Sequence, residues 1–196
     1  AQYDLSSIRV ALVGAEAVTR ESLDQFGKKF YAAGFRTTAF MPTYGLAENC
    51  LAVTMPPLDH EPQFDQINFR KMADGIAEDS SGGETRFFAN VGRALPNTEV
   101  AIVDPSGCRL AERRIGEIVI KSPCLMKGYY NDLRNTQYAI RDDSLYTGDL
   151  GYLVNDDLHI GIRHFIKHRQ TDQAFAEVLR MRQWAAGFSV FFPGRR

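Results

Sequence analysis

Four short segments stand out in the sequence, and three of them carry residue types that could bind a ligand. The first is Gly14-Ala15-Glu16, directly after an apolar run, where glycine and alanine let a flat ligand approach the backbone. In an open α/β sheet, ligands bind beyond the carboxyl ends of the strands, which is where this segment would lie. The alternative is an ordinary turn between a strand and a helix.

The second segment, residues 44–48 (YGLAE), adds an aromatic ring and a carboxylate. Tyr44 offers a face on which a base can stack, and Gly45 lets the chain pass close to a ligand. Glu48 is placed to hold a hard cation such as Mg²⁺ between phosphates. The alternative is a buried tyrosine and a solvated glutamate.

The third and fourth segments lie further along the chain. Residues 115–120 (IGEIVI) and the Gly-Tyr-Tyr of residues 128–130 indicate, by themselves, only a strand, a loop and a turn. Residues 146–152 (YTGDLGY) place Asp149 on a short glycine-flanked loop, where a carboxylate can bind both hydroxyls of a ribose. The alternative for Asp149 is an Asx turn.

The histidines and cysteines indicate no second catalytic centre. No histidine stands in metal-like spacing with acids or cysteines, so we expect each to be solvated or to pack in the fold. The three cysteines (Cys50, Cys108 and Cys124) are scattered and never in C-x-x-C spacing. A disulfide framework or a zinc site is therefore not expected. We expect the protein to lie in the cytoplasm, which is reducing.

Composition limits the class of protein further. The 196 residues are 44% hydrophobic and 24% charged, as in a soluble globular protein of one large or two small domains. The net charge of -1 argues against a nucleic-acid binder held by phosphate contacts. No apolar run approaches the roughly 18–20 residues of a membrane span, so we expect no transmembrane segment.

The elements that must position these segments begin with a βαβ-like unit. Residues 8–13 are predicted to form a buried strand, and Thr19 is an N-cap for an amphipathic helix over residues 20–33. Gly34 ends the helix. A second extended run follows at residues 37–41, so the unit places the first two segments at one edge of a sheet.

The rest of the chain changes character after a Pro-Pro break. Residues 57–88 are polar and poorly patterned, which favours a surface insertion with one short helix near residues 69–77. Short strands then predict a small antiparallel region. These strands cover residues 100–103, 115–121, 145–147, 150–154 and 158–162.

Together, and in this order, the four segments resemble the adenylate-forming superfamily of acyl-CoA synthetases, luciferase-like enzymes and peptide-synthetase adenylation domains. The resemblance spans about residues 8–163 and is nearest to the fatty acyl-AMP ligases. Residues 9–26 (RVALVGAEAVTRESLDQF) are typical of those ligases, and Ala47 stands where most relatives carry threonine. The polar residues 57–90 stand where those ligases carry an extra insertion.

The resemblance implies an α/β fold, namely the C-terminal part of the large domain, truncated at both ends. Residues 1–56 would be the sheet portion with the adenine-site segments, and residues 57–90 the insertion. Residues 91–163 would be an antiparallel β-barrel-like subdomain reaching the interdomain hinge. Residues 164–196 would be an atypical basic tail.

The resemblance also assigns roles to matching positions. Gly14 would line the acyl tunnel, with Ala15 and Glu16 along one side of the adenine and Tyr44 stacked on the other. The neighbours of Tyr44 within the same nucleotide-binding segment are Gly45, Leu46 and Ala47.

The remaining roles concern the metal and the ribose. Glu48 would be the catalytic residue, and its carboxylate would hold Mg²⁺. Asp149 would bind the ribose hydroxyls, and Arg163 falls near the ribose-binding arginine that precedes the hinge.

The implied reaction joins a fatty acid to ATP, with Mg²⁺, as an acyl-adenylate. The acyl group then passes to the phosphopantetheine thiol of an acyl carrier protein or of a polyketide or peptide synthase carrier domain. Alternatives are part of an acyl-CoA synthetase, or a non-catalytic remnant that binds a nucleotide or a partner protein. We expect this chain alone to be inert, because the superfamily's phosphate loop and its lysine-bearing C-terminal domain are absent from it.

The end of the chain departs from the family pattern. The expected hinge reads roughly Gly-Arg-x-Lys-Asp, but here Arg163 is displaced from Gly161 and the aspartate is missing. Residues 164–196 hold 6 basic against 2 acidic residues, whereas residues 1–163 hold 17 against 22. This break favours a disrupted reading frame, and the alternative is a divergent helix that includes Phe175 and Leu179.

Overall fold

A computed structural model describes residues 3–80 and 82–162. Arg163, the basic tail and its predicted helix lie outside the described residues. The helices are α1 (Arg20–Phe30), α2 (Phe69–Met72) and α3 (Leu133–Ala139). The strands are β1 (Ala11–Val13), β2 (Phe40–Pro42), β3 (Tyr44–Gly45), β4 (Ala52–Met55), β5 (Phe64–Asn68), β6 (Thr85–Asn90), β7 (Arg93–Ala94), β8 (Glu99–Val103), β9 (Gly116–Lys121), β10 (Ile140–Arg141), β11 (Ser144–Val154) and β12 (Asp157–Ile162).

The predicted βαβ unit is confirmed, with shorter elements. β1 and β2 pair in parallel, and α1 connects them. Thr19 caps α1 by accepting a hydrogen bond from the backbone N–H of Ser22 at 3.2 Å. The helix tightens into a 3₁₀ turn over Tyr31–Ala33, and Gly34 ends it at φ 83°. A second 3₁₀ turn, Thr37–Ala39, replaces the first half of the predicted second strand.

The prediction that the first strand is buried is wrong. Val10 and Leu12 are 43% and 56% exposed. Ala11 and Val13 pack in one cluster with Leu23 of α1, so the helix covers one face of β1, and Leu12 on the other face is exposed to solvent. Phe26 of α1 is also 41% exposed, although its ring lies 5.1 Å from that of Phe35.

The antiparallel region is an open seven-stranded sheet and not a closed barrel. Its order is β5-β6-β12-β11-β9-β8, with β10 paired to β11. The turn between β11 and β12 places Asn155 and Asp156 at φ 50° and 67°, a left-handed geometry that asparagine and aspartate tolerate well. A smaller three-stranded sheet, β3-β4-β7, joins this region to the βαβ unit.

Residues 57–88 are not the irregular surface segment that their composition suggested. They contribute β5 and β6 to the large sheet, and α2 covers only part of the predicted helix. Ile67 and Ala77 are fully buried in a core that also includes Tyr152 of β11. Neither strand alternates between buried and exposed residues, so no two-residue period marks them in the sequence.

A polar network fastens this segment to the sheet. The Asp65 carboxylate accepts hydrogen bonds from the Tyr152 hydroxyl at 2.8 Å and from Arg113 at 3.2 Å. Arg113 also pairs with Asp79 at 2.8 Å. Burial raises the pKa of Tyr152, so the tyrosine remains a neutral donor. Charge-assisted bonds thus replace part of the apolar packing that the segment lacks.

His159 of β12 lies beside this network. Its ring stacks on Tyr152 with a centroid distance of 5.1 Å, and its buried Nδ1 has no hydrogen-bond partner within the described residues. Burial lowers the pKa of His159, although Asp65 and Asp157 act in the opposite direction and Arg113 acts with burial. The folded protein therefore holds this histidine neutral.

This burial predicts acid sensitivity. An unfolded histidine titrates near pH 6.5, so below about that pH the unfolded chain binds a proton that the folded chain resists, and stability falls. We expect Tm to drop between pH 7.5 and 5.5, and His159→Phe to reduce the drop. Calorimetry at each pH measures it.

The matched control is His60→Phe, because His60 is exposed. We expect that variant to keep the wild-type pH dependence. An identical slope of Tm against pH in His159→Phe and wild type would contradict the assignment.

Candidate functional site

The ends of β1 and β2 form the shared sheet edge that the sequence predicted. The backbone N–H of Thr43, after β2, donates to the carbonyl of Val13 at 2.9 Å. A Cβ atom on Gly14 would lie 2.5 Å from the Thr43 carbonyl oxygen. Only glycine therefore fits at position 14 without moving the neighbouring strand.

Ala15 and Glu16 continue from this edge to the surface. Both are exposed. Ala15 has φ 67°, a left-handed conformation that is uncommon for alanine. The chain thus turns sharply out of β1 and leaves its backbone accessible at the position predicted to border a base.

Tyr44 and Asp149 meet in the interior. The Tyr44 hydroxyl donates to Asp149 Oδ2 at 2.8 Å, across a separation of 105 residues. Tyr44 is 3% exposed and Asp149 8%. The second and fourth segments therefore share one location, and Tyr44 has the buried position that the structural alternative predicted.

Gly45 has a structural reason of its own. A Cβ atom there would lie 1.8 Å from the carbonyl oxygen of Leu51, so the backbone that leads into β4 fills that space. Leu46 is half-buried, and Ala47 is exposed at the start of the 3₁₀ turn Ala47–Asn49. This turn presents Glu48 beside the Tyr44 strand.

Asp149 lies in a bulge of β11 and not on the short loop that the sequence suggested. The pairing with β9 moves from Tyr146 opposite Val119 to Leu150 opposite Glu117. The β11 side of the ladder is therefore longer than the β9 side, and the additional residues bulge out. Bulges commonly redirect a side chain toward a site.

Thr147 stabilises this bulge. Its hydroxyl donates to the carbonyl of Ile118 at 2.7 Å and accepts from the backbone N–H of Asp149 at 3.1 Å. Gly148, between them, has φ 72°. One hydroxyl thus replaces the ladder bonds lost at the bulge and fixes the backbone of Asp149.

Glu117 supports the same turn from β9. Its Oε1 accepts a hydrogen bond from the backbone N–H of Gly148 at 3.0 Å. Burial raises the pKa of Glu117, while the bond from Gly148 and the charge of Arg141 act in the opposite direction and the Asp149 charge adds to the increase. Two carboxyl groups thus lie near one glycine turn.

Glu48 joins the turn after β3 to the loop that follows β9. Tyr129 donates its hydroxyl to Glu48 Oε1 at 2.8 Å, and the N–H of Met126 donates to the Glu48 carbonyl at 2.7 Å. The thiol of Cys50 lies 3.4 Å from the carbonyl oxygen of Cys124. The second and third segments are therefore in direct contact.

The side chains near Glu48 fit a magnesium ion that is shared with a phosphate ligand. The described residues hold no cluster of three or more histidine, cysteine or acidic side chains that could cage a metal. Mg²⁺ usually takes one or two protein carboxylates and completes its shell with water and phosphate oxygens. The half-buried Glu48 carboxylate meets that requirement.

Sequence reasoning missed three residues of this site. Thr147 and Glu117 act through backbone bonds that depend on the bulge, and no periodic pattern marks a bulge. For Tyr129 the sequence predicted only a loop or a turn. Its position, between a glycine and a second tyrosine in a loop between two strands, was the available signal.

Comparisons with known proteins identify the family to which the chain is similar. The sequence profile of the AMP-binding enzyme family matches residues 1–130. A medium-chain-fatty-acid–[acyl-carrier-protein] ligase of Moorena producens is 31% identical over 173 residues, which is 82% of this chain and 29% of that protein. The 4-coumarate:CoA ligase 1 of Petunia hybrida is 33% identical over 185 residues, covering 90% of this chain and 29% of that one.

A solved structure from a study of fatty acyl-adenylate ligases of E. coli and L. pneumophila shares the fold. It has a TM-score of 0.77 and 36% sequence identity, and the match covers 82% of this chain and 30% of that chain. The chain therefore spans about 30% of the length of that structure. Within the described residues, none of the helices is long and apolar enough to cross a membrane.

The role of Thr147 predicts a stability effect. Thr147→Val keeps the side-chain shape but leaves the N–H of Asp149 and the carbonyl of Ile118 without this partner. Because these groups are partly buried, we expect the free energy of unfolding to fall by about 1–3 kcal/mol. Urea denaturation measures the loss.

Thr98→Val is the matched control, since the Thr98 hydroxyl makes one long contact of 3.4 Å with Ser122. Its unfolding midpoint should change less. Equal losses in the two variants would show that the Thr147 hydroxyl has no special role at the bulge.

Proposed function

The chain belongs to the family of AMP-binding enzymes, and we propose that the intact protein activates a fatty acid with ATP for transfer to a carrier-protein thiol. The observation that carries this proposal is the buried 2.8 Å hydrogen bond between Tyr44 and Asp149. It brings together the segments that we propose to bind the base and the ribose, which are remote in sequence.

Asp149 is proposed to bind the ribose. Its carboxylate can accept hydrogen bonds from both ribose hydroxyls, as acidic side chains do in other nucleotide sites. The bulge, Thr147 and the hydrogen bond from Tyr44 fix its position before any ligand arrives.

The adenine is proposed to lie between the turn after β1 and the Tyr44 strand. Ala15 and Glu16 are exposed there, and Gly14, which we propose to line the acyl tunnel, keeps the two backbones close. Stacking on Tyr44 requires its ring to become more accessible when the nucleotide binds, since it is 3% exposed without one. Leu46 and Ala47 continue the same wall.

Glu48 is proposed to hold Mg²⁺ at the phosphates. When bound, the ion would neutralise charge on the phosphate oxygens. The contribution of the chain is to hold one carboxylate at a fixed distance from the nucleotide segments, through the turn Ala47–Asn49. Arg163, proposed as a second ribose contact, lies outside the described residues.

The proposed chemistry has two transfers. A carboxylate oxygen of the fatty acid attacks the α-phosphorus of ATP, the new C–O–P link forms, and the bond to the β-phosphate breaks to release pyrophosphate. The carrier thiol then loses its proton, its sulfur attacks the acyl carbonyl, and AMP leaves. The chain's share in these steps is positioning, which can account for a large part of a rate enhancement.

Fatty acid and carrier are favoured as substrate and acceptor by two observations. The relative from Moorena producens is named as a fatty-acid ligase of an acyl-carrier protein. Residues 57–90, proposed as the family insertion, form two strands of the large sheet and share a core with Ile115, Leu150 and Tyr152, and Asp65 fastens them to β11. A fixed insertion can restrict which acceptor reaches the adenylate.

A second candidate function is that of an acyl-CoA ligase, because the Petunia hybrida relative, a CoA ligase, matches 90% of the chain. The intact protein should be supplied with fatty acid, ATP and either free CoA or a phosphopantetheinylated carrier. Faster loading of the carrier supports the first candidate. Acyl-CoA formation at an equal rate would favour the second.

Ribose recognition predicts a specific defect. We expect Asp149→Asn to weaken AMP binding about 10- to 100-fold, the loss of roughly 1.5–3 kcal/mol from hydrogen bonds to a charged group. The variant should also lose the preference for AMP over 2′,3′-dideoxy-AMP. Titration calorimetry with both nucleotides measures this.

Asp156→Asn is the control, because Asp156 is an exposed residue of the β11–β12 turn with a conformation that asparagine accepts. Its AMP affinity should match that of wild type. A wild-type chain that binds AMP and the dideoxy analogue equally would remove the ribose assignment from Asp149.

The chain by itself should bind nucleotide without completing adenylation. The phosphate loop that the family resemblance requires does not occur in its sequence, so the triphosphate lacks the backbone cradle that orients it. We expect no fatty-acid-dependent exchange of pyrophosphate into ATP. Exchange above the level of an Asp149→Asn control would refute this prediction.

A further inference from the structure

The Tyr129 hydroxyl is the side-chain group that hydrogen-bonds the Glu48 carboxylate in the part of the chain that the structure describes. The distance is 2.8 Å, and no cationic side chain within those residues forms an ion pair with Glu48. The 3₁₀ turn that carries Glu48 fixes its backbone, but a glutamate side chain keeps several rotatable bonds. Tyr129 therefore supplies the contact that selects one arrangement of the carboxylate.

A side chain of α3 fixes the position of Tyr129. Its backbone N–H donates to the Thr136 hydroxyl of α3 at 2.8 Å, and that hydroxyl donates in turn to the carbonyl of Asp132 at 2.8 Å. A Cβ atom on Gly128 would lie 2.7 Å from a Thr136 carbon, so the loop packs closely against the helix. The backbone of Tyr129 is thus fixed to α3.

The loop and the Glu48 turn are joined at further points. The N–H of Met126 donates to the Glu48 carbonyl at 2.7 Å. The Cys50 thiol contacts the Cys124 carbonyl oxygen at 3.4 Å. These two contacts hold the loop that carries Tyr129 against the turn that carries Glu48.

We propose that Tyr129 is a positioning residue for the metal: its hydroxyl orients the Glu48 carboxylate for a divalent cation shared with the phosphates of a bound nucleotide. This inference rests on the proposed function, in which Glu48 is the protein ligand. Partners that hydrogen-bond a ligating carboxylate typically change metal affinity 10- to 100-fold when removed. Tyr129 supports the ligand and does not itself touch the metal.

The next residue provides a matched control. Tyr130 is 94% exposed, whereas Tyr129 is 39% exposed and hydrogen-bonded. Tyr129→Phe and Tyr130→Phe each remove one hydroxyl from the same loop. A general effect of the loop on folding would appear in both variants. An effect on metal binding would appear only in Tyr129→Phe.

The experiment measures binding of Mn²⁺, as a paramagnetic substitute for Mg²⁺, by electron paramagnetic resonance. The full chain is used with ATP, and Glu48→Gln reports the loss of the ligand itself. We expect Tyr129→Phe to weaken Mn²⁺ binding at least 10-fold and Tyr130→Phe to leave it unchanged. Metal-free AMP binding should be the same in all the variants, because it depends on Tyr44 and Asp149.

The possible results distinguish a failure of this inference from a failure of the proposed function on which it rests. Mn²⁺ binding that is lost in Glu48→Gln but unchanged in Tyr129→Phe overturns the role of Tyr129 and leaves the proposed function standing. Wild-type binding that does not depend on Glu48, or is absent, overturns both. An equal loss in Tyr129→Phe and Tyr130→Phe, or a parallel loss of AMP binding, shows a structural effect and also overturns the inference.

Discussion

The hydrogen bond between Tyr44 and Asp149 is the interaction on which the arrangement of the site depends. It is buried, it measures 2.8 Å, and it joins the three-stranded sheet to the seven-stranded one. A buried carboxylate without partners is costly, so each residue stabilises the position of the other. Moving either sheet would separate the segments proposed to bind the base and the ribose.

Around this bond, the site is built from irregular features of otherwise regular elements. A bulge in β11 presents Asp149, a 3₁₀ turn presents Glu48, and a left-handed residue at Ala15 turns the chain out of β1. Each departure is held by a named hydrogen bond or a close backbone approach. The sheets are rigid, and the bulge, the 3₁₀ turn and the left-handed residue expose or redirect the side chains of the site.

Much of this could be predicted from the sequence, and the failures have physical causes. The parallel β1–β2 pair, the Thr19 cap and the β11–β12 turn follow from local patterns and were confirmed. The strands β5 and β6 were missed because their burial depends on a polar network with Arg113, which no periodicity reveals. The exposure of β1 was missed because an apolar run does not show how many faces are covered.

The span of the Tyr44–Asp149 contact has a consequence for how the molecule is made. The two residues are 105 positions apart, so a ribosome must synthesise almost the whole described chain before they can meet. Contacts with such long sequence separation require closure of a large loop and form late and slowly. The segments proposed to bind the nucleotide can therefore meet only after β11 has been synthesised, and nascent chains that stop before β11 contain the Tyr44 segment without the Asp149 segment.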